Sequence, residues 1–97
     1  MKRVWTPSWR NKFFNLGECY RTGDGVAQDS VEAVRLFKLA ADQGFAEAEN
    51  NLGCMYARGC GVEQDTAEAI RWLERAAAKG HEKANKYLSR LARLRSP

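Results

Sequence analysis

Proline is nearly missing from this chain. Its two prolines, Pro7 and Pro97, stand at the ends of 97 residues, so the interior lacks the residue that most strongly interrupts helices. Histidine occurs once, as His81, directly after Gly80 and beside Glu82 and Lys83. Catalysis needs convergent titratable groups, and a lone histidine at a helix boundary does not supply them, so no catalytic residue is expected. The three cysteines, Cys19, Cys54 and Cys60, contain no pair at the two-to-four-residue spacing of a zinc site, so neither metal nor cofactor is expected. No stretch approaches the roughly 18 apolar residues of a membrane span. No apolar run of signal-peptide length follows Met1-Lys2-Arg3, because Trp5-Thr6-Pro7-Ser8-Trp9-Arg10 is too polar. An odd set of thiols without an export signal fits a reducing cytoplasm best.

Charge of one sign is also absent from parts of the chain. Residues 1–12 carry Lys2, Arg3, Arg10 and Lys12 and no acid, while residues 71–97 carry eight bases against Glu74 and Glu82. Residues 13–70 hold four bases and ten acids. The net +4 is therefore the sum of ends at +4 and +6 and a middle at −6. Such a layout suits solvated helix faces of differing sign. It also leaves open nucleic-acid binding by a basic end, or association of basic ends with acidic middles.

What the chain does contain is a repetition. The string from Asn15 to Ala33 recurs from Asn51 to Ala69, and residues 13–48 agree with residues 49–84 at 16 of 36 positions. A period near 36 marks a stacked repeat array. Within each copy a helical stripe is followed by a break and a second stripe. Phe13, Leu16, Gly17 and Tyr20 share one face of a first helix expected from Trp9 to Thr22, capped by Thr6 or Ser8. Gly23-Asp24-Gly25-Val26 ends it, with Val26 turned back to the core. Asp29, followed by Glu32, caps a second helix to Gln43, whose buried stripe is Ala33, Leu36, Phe37, Ala40 and Ala41. The second copy predicts helices over Ala46–Arg58, with Ala48, Leu52, Met55 and Tyr56 inward, and Thr66–Lys79, capped by Asp65. Gly59-Cys60-Gly61-Val62 separates them. Gly17 and Gly53 repeat in register, which predicts a close pass of a neighbouring helix. The Gly-x-Gly loops follow helices and lack a lysine followed by Ser or Thr, so they are turns and not phosphate loops. A fifth helix, from Glu82 to about Arg93, buries Ala84, Tyr87, Leu88 and Leu91, and its Lys83, Lys86, Arg90, Arg93 and Arg95 read as a wet outer side. Cys19 and Cys54 stand one register step apart, which leaves a disulfide under oxidation open; Cys60, at a loop tip, is the expected reactive thiol.

Ala48, Leu52, Gly53, Tyr56, Gly59, Gly61, Val62, Gln64, Asp65, Glu68, Ala69, Ala76, Ala77 and Gly80 together resemble the Sel-1-like repeat family, a relative of the tetratricopeptide repeat. The first copy matches from Leu16, through Gly17, Tyr20, Gly23, Gly25 and Asp29, but has Lys12 where Ala48 stands. Where members often carry Pro after Gly-Val, this chain has Ala27 and Glu63. The resemblance implies an all-α fold: a short right-handed superhelix of two helix-turn-helix repeats plus a C-terminal capping helix. As one domain over 1–97, this divides into an arm (1–8), repeats at 13–48 and 49–84, and a cap at 82–94. It further implies a non-catalytic adaptor or scaffold of the kind known in bacterial signalling, secretion and host contact and in eukaryotic quality control. Its partner would lie in a concave groove lined by Asn11, Phe14, Glu18 and Arg21, by Glu47, Asn50, Cys54 and Ala57, and by Lys83, Lys86 and Ser89.

Phe14 has Asn50 and Lys86 as counterparts, so it either covers the end of the core with Trp5 and Trp9 or is an exposed anchor for a peptide. Trp72, the counterpart of Leu36, is expected in the core. Two other partners remain as alternatives. A nucleic acid would use the basic final helix, against which the acidic middle argues. A second copy of the chain would meet Trp5, Trp9, Phe13 and Phe14, since fewer than three repeats leave an open end. No membrane partner is expected.

Overall fold

The computed structural model describes residues 11–95. The arm expected over residues 1–8, together with Trp5 and Trp9, lies outside the described residues. Five α-helices follow one another without a strand among the described residues: α1 (Lys12–Thr22), α2 (Ser30–Asp42), α3 (Ala46–Arg58), α4 (Thr66–Ala78) and α5 (Glu82–Arg95). Each helix packs chiefly on its neighbours in sequence, as a stacked array requires.

The two α–α pairs are built by one local recipe. Asp29 and Asp65 hold the same extended conformation, φ −153° and ψ 98°, at the starts of α2 and α4. Each accepts a hydrogen bond from a backbone N–H three residues on, Glu32 at 3.1 Å and Glu68 at 3.0 Å. The loop before each cap is tied back to the preceding helix. The Asp29 N–H donates to the Tyr20 carbonyl at 2.8 Å, and Asp65 to Tyr56 at 2.9 Å. The Gln28 amide reaches the Arg21 carbonyl at 2.8 Å and Gln64 reaches Ala57 at 2.8 Å. These bonds satisfy carbonyls that the ends of α1 and α3 would leave unpaired.

The core has two clusters, one over α1 to α3 with Trp72 and one over α4 and α5, and half-buried Tyr56 packs against both. Phe37, Leu52 and Leu73 are fully buried in these clusters, with the alanines 33, 40, 48, 69, 76 and 84 between the helices at 0% exposure. Close approach explains Gly17 and Gly53. A Cβ at Gly53 would lie 2.5 Å from Leu73 Cγ and 3.1 Å from the Ala69 carbonyl oxygen; at Gly17 it would meet the Phe37 ring at 2.8 Å. Trp72 is buried as expected, its ring 5.0 Å from the Arg75 guanidinium.

Three expectations need correction. Leu16 is 44% exposed, although its counterpart Leu52 is fully buried, because no helix among the described residues lies on the outer side of α1. Phe14, not Phe13, is the fully inward phenylalanine of α1: it is 6% exposed, with its ring centroid 5.7 Å from Phe37 and 5.1 Å from Phe45. The cap of α1 is Asn11, whose side chain accepts from the Phe13 N–H at 2.9 Å, rather than Thr6 or Ser8.

Candidate functional site

The first helices of successive pairs, α1, α3 and α5, present polar side chains that the core does not use. Between them lie two hollows. One, of about 460 Å³, is lined by Glu18 and Arg21 of α1, by Gln28 and Ser30, by Glu47, Asn50, Asn51, Cys54, Met55 and Arg58 of α3, and by Cys60 and Lys83. The other, of about 720 Å³, is bounded by Cys54, Ala57 and Arg58 of α3, by Gln64 and Thr66, and by Lys83, Lys86, Tyr87, Arg90 and Leu91 of α5. Cys54, Arg58 and Lys83 line both, so the two hollows adjoin and together make a candidate groove.

Eight of the eleven side chains expected in the groove are there: Glu18, Arg21, Glu47, Asn50, Cys54, Ala57, Lys83 and Lys86. Three are not. Phe14 is in the core, so its exposed-anchor role and its place in a dimer contact are both lost. Asn11 caps α1 and bonds across to Gln43. Ser89 turns its hydroxyl to the Asn85 carbonyl at 3.1 Å. The basic side chains Lys83, Lys86 and Arg90 line the groove and not an outer side, since positions i, i+3 and i+7 share one helix face. Arg58 was not anticipated. It continues the stripe of Asn50 and Cys54 by one more turn, a signal that was present in the spacing.

Internal bonds set the groove's charge. Glu18 pairs with Arg21 at 2.5 Å and accepts from Asn51 at 3.3 Å. Glu47 meets His81 Nε2 at 2.7 Å, while His81 Nδ1 accepts from the Ala84 N–H at 3.2 Å and so caps α5. His81 thus has a structural task at a helix start. Asn50 is 9% exposed, and its Oδ1 has no partner among the described residues. Burial pushes the Cys54 thiol up from its ordinary pKa, against the opposing pull of Arg58 and Arg21. A raised thiol is a poor nucleophile at neutral pH. All three cysteines are free, and Cys60 is the exposed one. Among the described residues no group of three or more His, Cys, Asp or Glu side chains could hold a metal ion, and no helix is long and apolar enough to cross a membrane.

Outside the groove, α3 carries a buried carboxylate that sequence reasoning missed. Glu49 is 1% exposed, and Lys79 Nζ sits 2.7 Å from both its oxygens. Its counterparts, Phe13 and Asn85, give no hint of an ion pair.

Comparison with known proteins agrees with this geometry. The Sel1 repeat pattern matches residues 14–45 and 46–81. A Sel1 repeat protein of Oxalobacter formigenes is 43% identical with a TM-score of 0.80, over 81% of this chain and 23% of that one. A protective antigen of uropathogenic Escherichia coli with an SLR fold is 42% identical with a TM-score of 0.74, over 74% of this chain and 15% of that one. Cysteine rich protein B of Helicobacter pylori is 27% identical with a TM-score of 0.76, over 80% of this chain and 59% of that one. The chain therefore spans about a quarter or less of the first two relatives' length. No curated protein matches it.

Proposed function

The chain belongs to the Sel1 repeat family, whose members are generally protein-interaction modules, and from that premise we propose that it is a non-catalytic adaptor that holds a segment of another protein in the α1–α3–α5 groove. The observation that carries this reading is the pair of adjoining hollows along α1, α3 and α5. Most of their lining is polar side chains outside the core, and the core residues Met55 and Leu91 complete it. A preformed concave surface on rigid helices accepts an extended or helical segment without reorganising, which lowers the entropic penalty of binding.

The test is capture of partners from a lysate of the protein's own source with the parent chain and two variants. Cys54→Trp fills the middle of the groove. Arg71→Trp places the same bulk on the exposed side of α4, where Arg71 pairs with Glu68 at 3.6 Å. The expected result is a set of proteins lost with Cys54→Trp and kept with Arg71→Trp. Equal behaviour of the two variants would remove the groove from the account.

One observation favours a second reading, association between copies of the chain: Leu16 is exposed on the open side of α1. Sedimentation equilibrium checks it. A mass that rises with concentration in the parent and not in Leu16→Asp supports it; a constant monomer mass rules it out.

A further inference from the structure

We propose that the segment held in the groove is acidic, and that its carboxylates occupy the α3–α5 half against Arg58, Lys83, Lys86 and Arg90. The proposal rests on the groove reading and names the chemistry of its occupant. Four cations converge on this half, one from the last turn of α3 and three from one face of α5. None of the four has an ion pair among the described residues, whereas Arg21, Arg35, Arg71 and Lys79 each have a carboxylate partner. The acids that line the groove, Glu18 and Glu47, lie in the other half and are already held by Arg21 and His81. Positive charge is therefore uncompensated in the α3–α5 half, which holds all four cations, while only Arg58 and Lys83 also edge the other hollow. Like charges gathered in a concave site repel one another and focus a field that an anionic ligand relieves.

The floor between the cations is apolar, made by Ala57, half-buried Tyr87 and Leu91. An occupant that alternates acidic and apolar residues meets both features. A protein segment fits better than a nucleic acid. A phosphate backbone carries charge at every residue and needs cations along its whole track. Here the unpaired cations end at Arg58 and Lys83, and Glu18 and Glu47 stand beyond them.

Fluorescence anisotropy on the full chain tests this with three labelled probes: a peptide alternating Glu with Ala and Leu, the same peptide with Lys for every Glu, and an oligothymidylate of matched charge. The acidic peptide is expected to bind, and to bind more weakly as salt rises. Lys86→Glu with Arg90→Glu is expected to weaken it about tenfold, the size expected from losing two exposed charge pairs. The neutral pair Lys86→Ala with Arg90→Ala should weaken it less, and gives the same answer if the reversed helix is unstable. The control Lys38→Glu with Arg71→Glu changes net charge equally, on α2 and α4, and should leave affinity within about twofold.

Three results overturn the proposal: preference for the Lys peptide, indifference to the Lys86 and Arg90 changes, or tighter binding of the oligothymidylate. The groove reading fails separately. If partner capture still depends on an unfilled Cys54 position while the acidic peptide does not bind, only the acidic assignment falls. If Cys54→Trp alters neither, both fall.

Discussion

Repeat 1 (α1 and α2) and repeat 2 (α3 and α4) share their caps, their loop ties and their glycines, yet equivalent residues live in different surroundings. Leu52 is fully buried and Leu16 is 44% exposed. A Cβ on Gly61 would overlap the Ser30 carbonyl and lie 2.9 Å from the Val31 N–H, while one on Gly25 would meet nothing within 4 Å. Glu49 is buried beneath Lys79, where Phe13 and Gln43 make no such pair. Local structure is the property of each repeat; burial is the property of its neighbours. Among the described residues, repeat 2 has a helix on both sides and repeat 1 has one on a single side, and in a one-dimensional array each repeat is buried by its neighbours.

The largest test of this contrast is truncation of the paired leucines. Leu52→Ala should destabilise the protein by about 2–5 kcal/mol through lost transfer energy and a cavity. Leu16→Ala, at a partly exposed site, should stay under about 1 kcal/mol. Urea unfolding of both variants gives the comparison, and equal losses would mean that the outer side of α1 is covered in solution.

The second test is the loop glycines. Both have positive φ, +79° at Gly25 and +73° at Gly61, so alanine strains each by a similar amount. Gly61→Ala should cost a further ~1–3 kcal/mol from overlap with the start of α2. If the two variants melt together, repeat 2 does not stack on repeat 1 in the register described.

Next comes the buried carboxylate. Lys79→Ala leaves Glu49 with its charge unpaired. Because the lysine side chain is 42% exposed and water can reach the gap, the loss should be about 1–2 kcal/mol, short of that for a fully buried pair. Gln43→Ala, at the equivalent position of repeat 1, should fall within about 0.5 kcal/mol of the parent.

The caps should show no contrast at all. Asp29→Ala and Asp65→Ala should each cost about 1 kcal/mol, since their geometry is the same and depends on nothing outside the repeat. A marked difference would show that even the caps feel the array. Least in energy is a matter of rates: the exposed Cys60 should react with iodoacetamide well ahead of Cys54, whose thiol is held up by burial, as mass spectrometry of partly alkylated protein will report.

Much of this was legible in advance. Periodicity and recurring Gly, Asp and Tyr positions located the helices, the loops and the Asp caps, because these depend on contacts within a few residues. The groove was legible as a stripe, since the register of the family carries it, and Arg58 lay on the same stripe. What misled was assigning burial by analogy between copies. Phe13 and Leu16 share the face of a repeated pattern, but the pattern does not say whether another helix covers that face. Phe14 took the inward place because the rings of Phe37 and Phe45 stand across from it, an aromatic contact whose partners lie 23 and 31 residues away. The Glu49–Lys79 pair was hidden for the same reason: its partners are 30 residues apart, and neither repeats.

The amino-acid order alone determined that this chain forms paired helices with Asp caps and tight glycine-containing turns, and that its last helix carries more base than acid. Those outcomes follow from backbone conformation, short-range hydrogen bonds and charge, all of which are counted along the chain. Only the tertiary structure decided which equivalent residues are buried, which acids are already paired, and which bases remain free to face a ligand. Those outcomes depend on which side chains meet in space, some within one helix turn and some 23 to 34 residues apart, and stacking supplies different neighbours to equivalent positions.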